Sequence, residues 1–346
     1  MQNLKFFYLL LITVVIFSCR KQDTTPALEF TQNEDLAGFQ EIASINLGGS
    51  GAAEITAFDP ATDRLFAVNN STENKIDVLD FSNPSNVTVI KSISMLPFGG
   101  YVNSVAVGNG KLAAAIESTN KQATGKIVVF NTTTYAEIKS INVGALPDMV
   151  TFSPDGNYII SANEGEPSDD YLNDPEGSVS IIKVADYSVT TINFASFESQ
   201  LASLTAKGFR IFGPGKNFIK DIEPEYITVS DDSKTAWVTL QENNGVAKVD
   251  LTSKTITAIY PLGLKDYNSA ENAIDVSDSD DKIAFNPWKV KGLYMPDAIS
   301  HFSANNVPYF VTANEGDARE YTANTDIKRM KSMKLDATVF PDAATL

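Results

Sequence analysis

Residues 147–165 read PDMVTFSPDGNYIISANEG: a short apolar run, a Ser-Pro-Asp-Gly turn, then a second run rich in β-branched and aromatic side chains. This is the pattern of two antiparallel strands joined by a tight turn. The same phrase returns at 224–242 (PEYITVSDDSKTAWVTLQE) and at 296–316 (PDAISHFSANNVPYFVTANEG). Looser copies lie at 54–70 (EITAFDPATDRLFAVNN) and 102–118 (VNSVAVGNGKLAAAIES). Self-similarity at this scale marks a repeat architecture. A third strand is expected at 75–79, 126–130, 178–182 and 246–249, and a fourth at 87–94, 136–143, 189–194 and 255–262. Four antiparallel strands per unit make the blade of a β-propeller, so the fold class is all-β. Starts at 54, 103, 148, 225 and 297 leave room for insertions near 195–222 and 263–295. The fifth unit shows two strands and no outer pair, which reads as an incomplete ring of about five blades, of a seven-bladed type. The stretch 41–48 (EIASINLG) echoes 137–144 (EIKSINVG) and is expected as a ring-closing strand.

The chain has 346 residues, 27 Lys and Arg against 43 Asp and Glu, and a net charge of −16. Nucleic-acid binding needs clustered positive charge and is excluded as a partner class. A cationic or neutral partner fits better. One cysteine and one histidine (His301) leave no disulfide framework, no CxxC zinc site and no His-rich metal site. His301 sits in an alternating strand and is expected to be a packed side chain rather than a general base.

Residues 1–18 (MQNLKFFYLLLITVVIFS) carry one lysine and then a twelve-residue apolar run from Phe6 to Phe17, shorter than the roughly 20 a membrane span requires. They read as a signal peptide. The lone cysteine, Cys19, follows directly, in the pattern that resembles a bacterial lipoprotein signal, with Cys19 as the lipidated residue. Residues 19–38 are polar and read as a flexible tether, and 39–346 as the propeller. The expected location is therefore extracytoplasmic, held to the cell envelope at the outer membrane or cell surface, with the membrane engaged through the lipid.

Aligning the repeats places acids at two recurring positions. Glu54, Asp148, Glu225 and Asp297 begin first strands, with Asn103 in the remaining copy. Asn70, Glu117, Glu164, Glu242 and Glu315 end second strands. Both ends of a hairpin lie on the same sheet edge, so these side chains are expected to converge on one mouth of the propeller channel. Crowded carboxylates are the ligands of a hard cation, and calcium is the cofactor such a ring would hold. The metal set is Asp148, Glu164, Glu225, Glu242, Asp297 and Glu315. The alternative is that these acids cap strand ends and face water, their regularity coming from duplication alone. An acidic loop follows at 164–176 (EGEPSDDYLNDPE). Arg319 and Lys216 are the candidate ligand-binding cations. Arg319 could hold a phosphate or carboxylate, or could instead form a salt bridge to the acid of another blade. No nucleophile and base pair is evident, so no catalytic residue is assigned.

Three phrases, LPDMVTFSPDG…ANEGEPSDD, GFRIFGPG…EPEYITVSDDS and MPDAISHF…TANEGDARE, together resemble the choice-of-anchor I family over about residues 40–322. The resemblance implies a bacterial extracytoplasmic propeller of the YVTN-like type, similar to animal mesenchyme-specific cell-surface glycoproteins. The expected function is a lipid-anchored binding or interaction module for an envelope or extracellular ligand. The alternative is a metal-dependent hydrolase of phosphoesters (phytase-like) or lactones, with the clustered acids holding the metal and Arg319 or Lys216 steadying the oxyanion.

Overall fold

The computed structural model describes residues 38–278, 280–305 and 307–341. The chain divides into 1–42 and 43–346, and the architecture that follows belongs to the second part. The expected signal peptide, Cys19 and nearly all of the expected tether lie outside the described residues.

Four sheets of four antiparallel strands follow one another along the chain. The first contains β1 (Ala52–Asp59), β2 (Arg64–Asn69), β3 (Lys75–Asp80) and β4 (Thr88–Ser94). The second contains β5 (Val102–Gly108), β6 (Lys111–Ile116), β7 (Thr124–Asn131) and β8 (Glu137–Ala145). The third contains β9 (Pro147–Phe152), β10 (Tyr158–Asn163), β11 (Ser178–Lys183) and β12 (Val189–Ile192). The fourth contains β13 (Pro224–Val229), β14 (Thr235–Leu240), β15 (Gly245–Asp250) and β16 (Thr255–Pro261). In each sheet neighbours in sequence are neighbours in space, the up-and-down order of a propeller blade. A short pair, β17 (Lys265–Asp266) and β18 (Lys291–Gly292), precedes a fifth hairpin of β19 (Pro296–Ala304) and β20 (Val307–Asn314). The sheets do not close into a ring among the described residues.

The core lies between consecutive blades, which explains why the middle strands read as continuous apolar runs. Along β10, Ile160 enters the cluster shared with β13 and β14, while Ile159 enters the cluster shared with the second blade. Along β7, Val128 and Phe130 pack toward the first blade, and Ile127 and Val129 toward the third. Successive side chains of a strand point to opposite faces, and here both faces are covered, so alternation of polar and apolar residues disappears as it does in doubly covered sheets.

The expected insertion near 195–222 is folded into this core. It forms the helix α1 (Leu201–Thr205) and the single turn α2 (Phe218–Asp221). Phe194, Phe197, Leu204, Phe209 and Phe218 fill the space between the third and fourth blades. Gly208, at φ 97°, runs so close to the backbone of Gly263 that a Cβ would lie 2.9 Å from it, which fixes glycine at that position.

One expectation fails. Residues 41–47 form no strand, because strand geometry is held by a partner's hydrogen bonds and no strand among the described residues pairs with them. Their repeat-like sequence is matched instead by β8, which does have a partner in β7. No helix among the described residues is long and apolar enough to cross a membrane.

Candidate metal and ligand site

Every first hairpin carries a β-bulge at the acidic position of the repeat, or at Asn103 where the acid is replaced. The register slips between Ala52 and Thr56, Val102 and Ser104, Pro147 and Met149, Pro224 and Ile227, and Pro296 and Ile299. The residues lodged in those slips include Glu54, Asn103, Asp148, Glu225 and Asp297. A bulge leaves its extra residue unpaired and turns its side chain away from the regular sheet faces. The five positions found by aligning repeats are therefore one structural device repeated five times. Backbone strain accompanies it twice: Leu146 (φ 46°) and Met295 (φ 47°), each preceding a bulge proline, occupy the left-handed region disfavoured for such side chains.

The far end of each hairpin is tied to the same edge. Asn70 N–H donates to Gly51 O at 2.7 Å, Glu117 N–H to Tyr101 O at 3.1 Å, Glu164 N–H to Leu146 O at 2.8 Å, and Glu315 N–H to Met295 O at 3.0 Å. Each donor is the residue immediately after its second strand. In the fourth blade that place belongs to Gln241, since Leu240 pairs with Pro224. Glu242 stands one residue further on, in the buried turn 241–244, and this offset carries it inward.

Glu164, Glu225 and Glu242 each offer a carboxylate oxygen within 4.8 Å of the other two. Glu225 and Glu242 are buried and Glu164 is half-buried. Glu242 is only 6% exposed, and its Oε2 is buried without any hydrogen-bond partner. Burial pushes the Glu164 carboxyl well up, reinforced by the charges of Glu166 and Asp148. Burial also raises Glu225, helped by Glu242, Glu164 and Asp148. Glu242 rises too, from burial, although the Arg319 charge works against the shift. Asp148 is pushed up to about 7, first by burial and then by Glu166, Asp297, Glu242 and Glu54. Carboxyls crowded in this way do not all ionise together, and either retained protons or a positive charge relieves them.

Of the six residues expected to bind metal, then, three are gathered at one point and Asp148 is electrostatically coupled to them. Asp297 is half-buried and Glu315 exposed, and neither joins the three-carboxylate group. Arg319 is buried and engaged. Its Nη1 lies 2.7 Å from Asp221 Oδ1, its Nη2 2.7 Å from Glu223 Oε2, and Nη2 also donates to Asp221 O at 2.9 Å. Phe212 stacks on the guanidinium with 4.6 Å to the ring centroid. Glu223 and Asp221, which the repeat alignment passes over, thus hold the counter-charge of the acidic edge. Lys216 lies on the exposed turn Pro214–Lys216. His301 packs flat on Trp237, the rings 5.1 Å apart and 8° from parallel.

On the side of the first three blades, a cavity of about 440 Å³ opens beside Glu164. Glu54, Glu117, Asp148 and Glu166 contribute carboxylates to its wall, and Lys121 contributes its one cation, 3.4 Å from Glu166 Oε2. Glu166 belongs to the acidic loop 164–176, and no repeat position points to it. Gly165, between it and Glu164, takes the left-handed backbone conformation (φ 77°).

A family model described as the choice-of-anchor I domain matches residues 54–346. No curated protein matches in sequence. Among solved structures, the chain is similar to the Cps50 (Swd1) β-propeller domain of Myceliophteria thermophila, with TM-score 0.41, 10% identity, and 62% of this chain covered. It spans 57% of the length of that structure. It is also similar to Kuenenia stuttgartiensis hydrazine synthase, with TM-score 0.34, 12% identity, and 75% of this chain and 83% of that one covered.

Proposed function

The chain belongs to the choice-of-anchor I domain family, and on that premise we propose a cell-envelope binding module that holds a divalent cation, calcium, at Glu164, Glu225 and Glu242. Cys19 is its lipid attachment point, and the membrane is its first partner. Domains of this family are generally associated with the cell surface, which fits a lipid-tethered propeller presenting its acidic edge to an extracellular ligand.

The observation that carries the reading is the Glu242 carboxylate, buried with one oxygen unpartnered beside two further carboxylates. Such an arrangement is costly without a cation or a shared proton. The donors are all oxygens, which selects calcium or magnesium over zinc, copper or nickel. Three glutamates supply up to six oxygens, within the six to eight that calcium takes. The hydrolase reading draws on the same convergence, since three carboxylates around one metal could position an activated water. It is weakened by Arg319, whose guanidinium is held by Asp221 and Glu223 and is not free to meet an oxyanion.

The test is thermal unfolding of the full-length chain in non-ionic detergent, titrated with calcium after chelation. Saturation at 100 times Kd stabilises by about 2.7 kcal/mol. Glu242→Gln and Glu225→Gln are expected to abolish the rise in melting temperature. A melt indifferent to calcium and magnesium in the parent chain overturns the cation site. Cys19→Ser is expected to move the chain from the detergent to the aqueous phase on phase partition, and retention in the detergent phase overturns lipidation.

A further inference from the structure

The cavity of about 440 Å³ beside the three-glutamate group has a chemistry of its own. Ligand pockets of this size are usually lined by apolar side chains with a few polar anchors. Here the wall carries Glu54 from the first blade, Glu117 from the second, and Asp148, Glu164 and Glu166 from the third. Lys121 alone opposes them, and it already pairs with Glu166. Glu117 is 5% exposed, and it lines the cavity. Its Oε1 accepts one long bond, 3.4 Å from Tyr101 N–H, and no donor among the described residues reaches its Oε2. A nearly buried carboxylate with one long protein bond and its other oxygen open to the cavity has room for a charged donor from outside.

That donor is not a bare metal ion. Among the described residues, only Glu164, Glu225 and Glu242 converge within metal reach, and the other cavity carboxylates are distributed over three blades. Separated carboxylates suit an elongated molecule with a positive N–H donor at more than one place. The side chain of Tyr101, half exposed at the rim, offers an aromatic face to a cation or its methylenes. A neutral or anionic ligand would have to strip water from carboxylates without replacing the lost charge stabilisation.

We propose that this cavity binds an alkylammonium chain carrying two or more positive nitrogens, with one ammonium on Glu117 and another on Glu54 or Asp148. The same chemistry is offered by a free di- or triamine and by lysine side chains of a partner protein. The site goes beyond the cation-binding reading and shares only Glu164 with it.

Isothermal titration of the full-length chain in non-ionic detergent, at about 0.15 M salt to screen diffuse attraction, tests the idea. The probes are spermidine, putrescine, butylamine and a Lys-Gly-Lys peptide. Spermidine or putrescine is expected to bind at least about tenfold more tightly than butylamine, since charge-assisted bonds form at two places rather than one. Glu117→Gln is expected to weaken binding about tenfold and Glu54→Gln, at an exposed position that tolerates exchange, several-fold. Glu225→Gln, in the neighbouring group, should alter it by less than about twofold while abolishing the calcium response. Tighter binding of the peptide than of free amines assigns the ligand to a protein partner, and the reverse assigns it to a small polyamine. Both support the site. Equal affinities for mono- and triamine, or indifference to both Glu54→Gln and Glu117→Gln, overturn it. A failed calcium titration leaves these outcomes intact, so the two readings fall separately.

Discussion

The junction of the first two blades and the junction of the third and fourth are built on the same bulged hairpin, yet they do opposite things with it. At the first, Asn70 reaches across and both donates to Val102 O (2.9 Å) and accepts from Val102 N–H (3.2 Å). Asn103 continues the pattern by donating to Pro147 O at 3.1 Å. An amide has both a donor and an acceptor and can stitch one backbone to the next. At the second junction the corresponding side chains are carboxylates, which only accept when ionised. Fully ionised, Glu164, Glu225 and Glu242 would have no hydrogen to share, and they crowd together instead. The contrast shows that the repeat does not require acids at this edge. Where asparagine serves, the blades are simply joined. Where glutamate persists, the fold carries a charge problem that a bound ligand would solve.

The largest expected effect concerns the counter-charge of the acidic junction. Arg319 is the buried cation between Asp221 and Glu223, and removing it strands two buried carboxylates. Breaking a buried pair by deleting one partner costs about 3–5 kcal/mol. Arg319→Met is therefore expected to lower the melting temperature by the largest margin of any single change at this edge. A double change, Arg319→Met with Glu223→Gln, should recover part of the loss. Full stability of the single variant would show that Asp221 and Glu223 do not depend on it.

Next in size is the pH dependence that separates the two junctions. Glu164, Glu225 and Glu242 all have carboxyls raised in the fold by burial, and burial with the neighbouring acids pushes Asp148 up to about 7. A raised carboxyl keeps its proton when the unfolded chain has lost it, so the folded state binds more protons and stability falls as pH rises. Without metal, the melting temperature is expected to decline from about pH 5 through pH 7, the interval between the ordinary carboxylate range and the shifted Asp148. Calcium should flatten or reverse that slope, because binding displaces the protons. Glu225→Gln should flatten it in the absence of calcium. A metal-free melting curve that rises through the same interval would mean the carboxyls are not raised.

Much of this edge can be read from residue order. The repeat at 147–165 locates the blades, and β3, β7, β11 and β15 begin within two residues of where the strand pattern puts them. Local patterning suffices there because each strand meets its neighbour across a short turn. The acids at first-strand starts are legible for the same reason, as duplication keeps them in phase. The bulge that aims them is not legible, since one extra residue in a strand leaves no mark in composition. Nor is the one-residue offset of Glu242, which looks equivalent to Glu164 until the pairing of Leu240 with Pro224 is known. The Arg319 cage joins residues 98 and 96 positions apart, and such long-range closure has no periodic signature. Glu117 and Glu166 line one cavity from two different blades, a juxtaposition that leaves no local signature in the residue order.

The smallest effect sharpens the comparison most directly, by rewriting the joined junction in the chemistry of the charged one. Asn70→Asp keeps the acceptor for Val102 N–H and removes the donor to Val102 O. The lost bond, with a carbonyl left facing a carboxylate, is worth about 1–2 kcal/mol at neutral pH. That is about 2–4 °C per kcal/mol in melting temperature if this chain behaves as domains of 150–250 residues do. At low pH the aspartic acid regains a proton and can donate again, so the deficit should shrink as pH falls below the carboxylate range. The variant also adds a carboxylate to a cavity wall that already carries Glu54 and Glu117. Alkylammonium affinity is therefore expected to rise modestly even as stability drops. A loss of stability equal at all pH values, with no gain in amine binding, would show that Asn70 acts by shape alone and that the two junctions differ in packing rather than in charge.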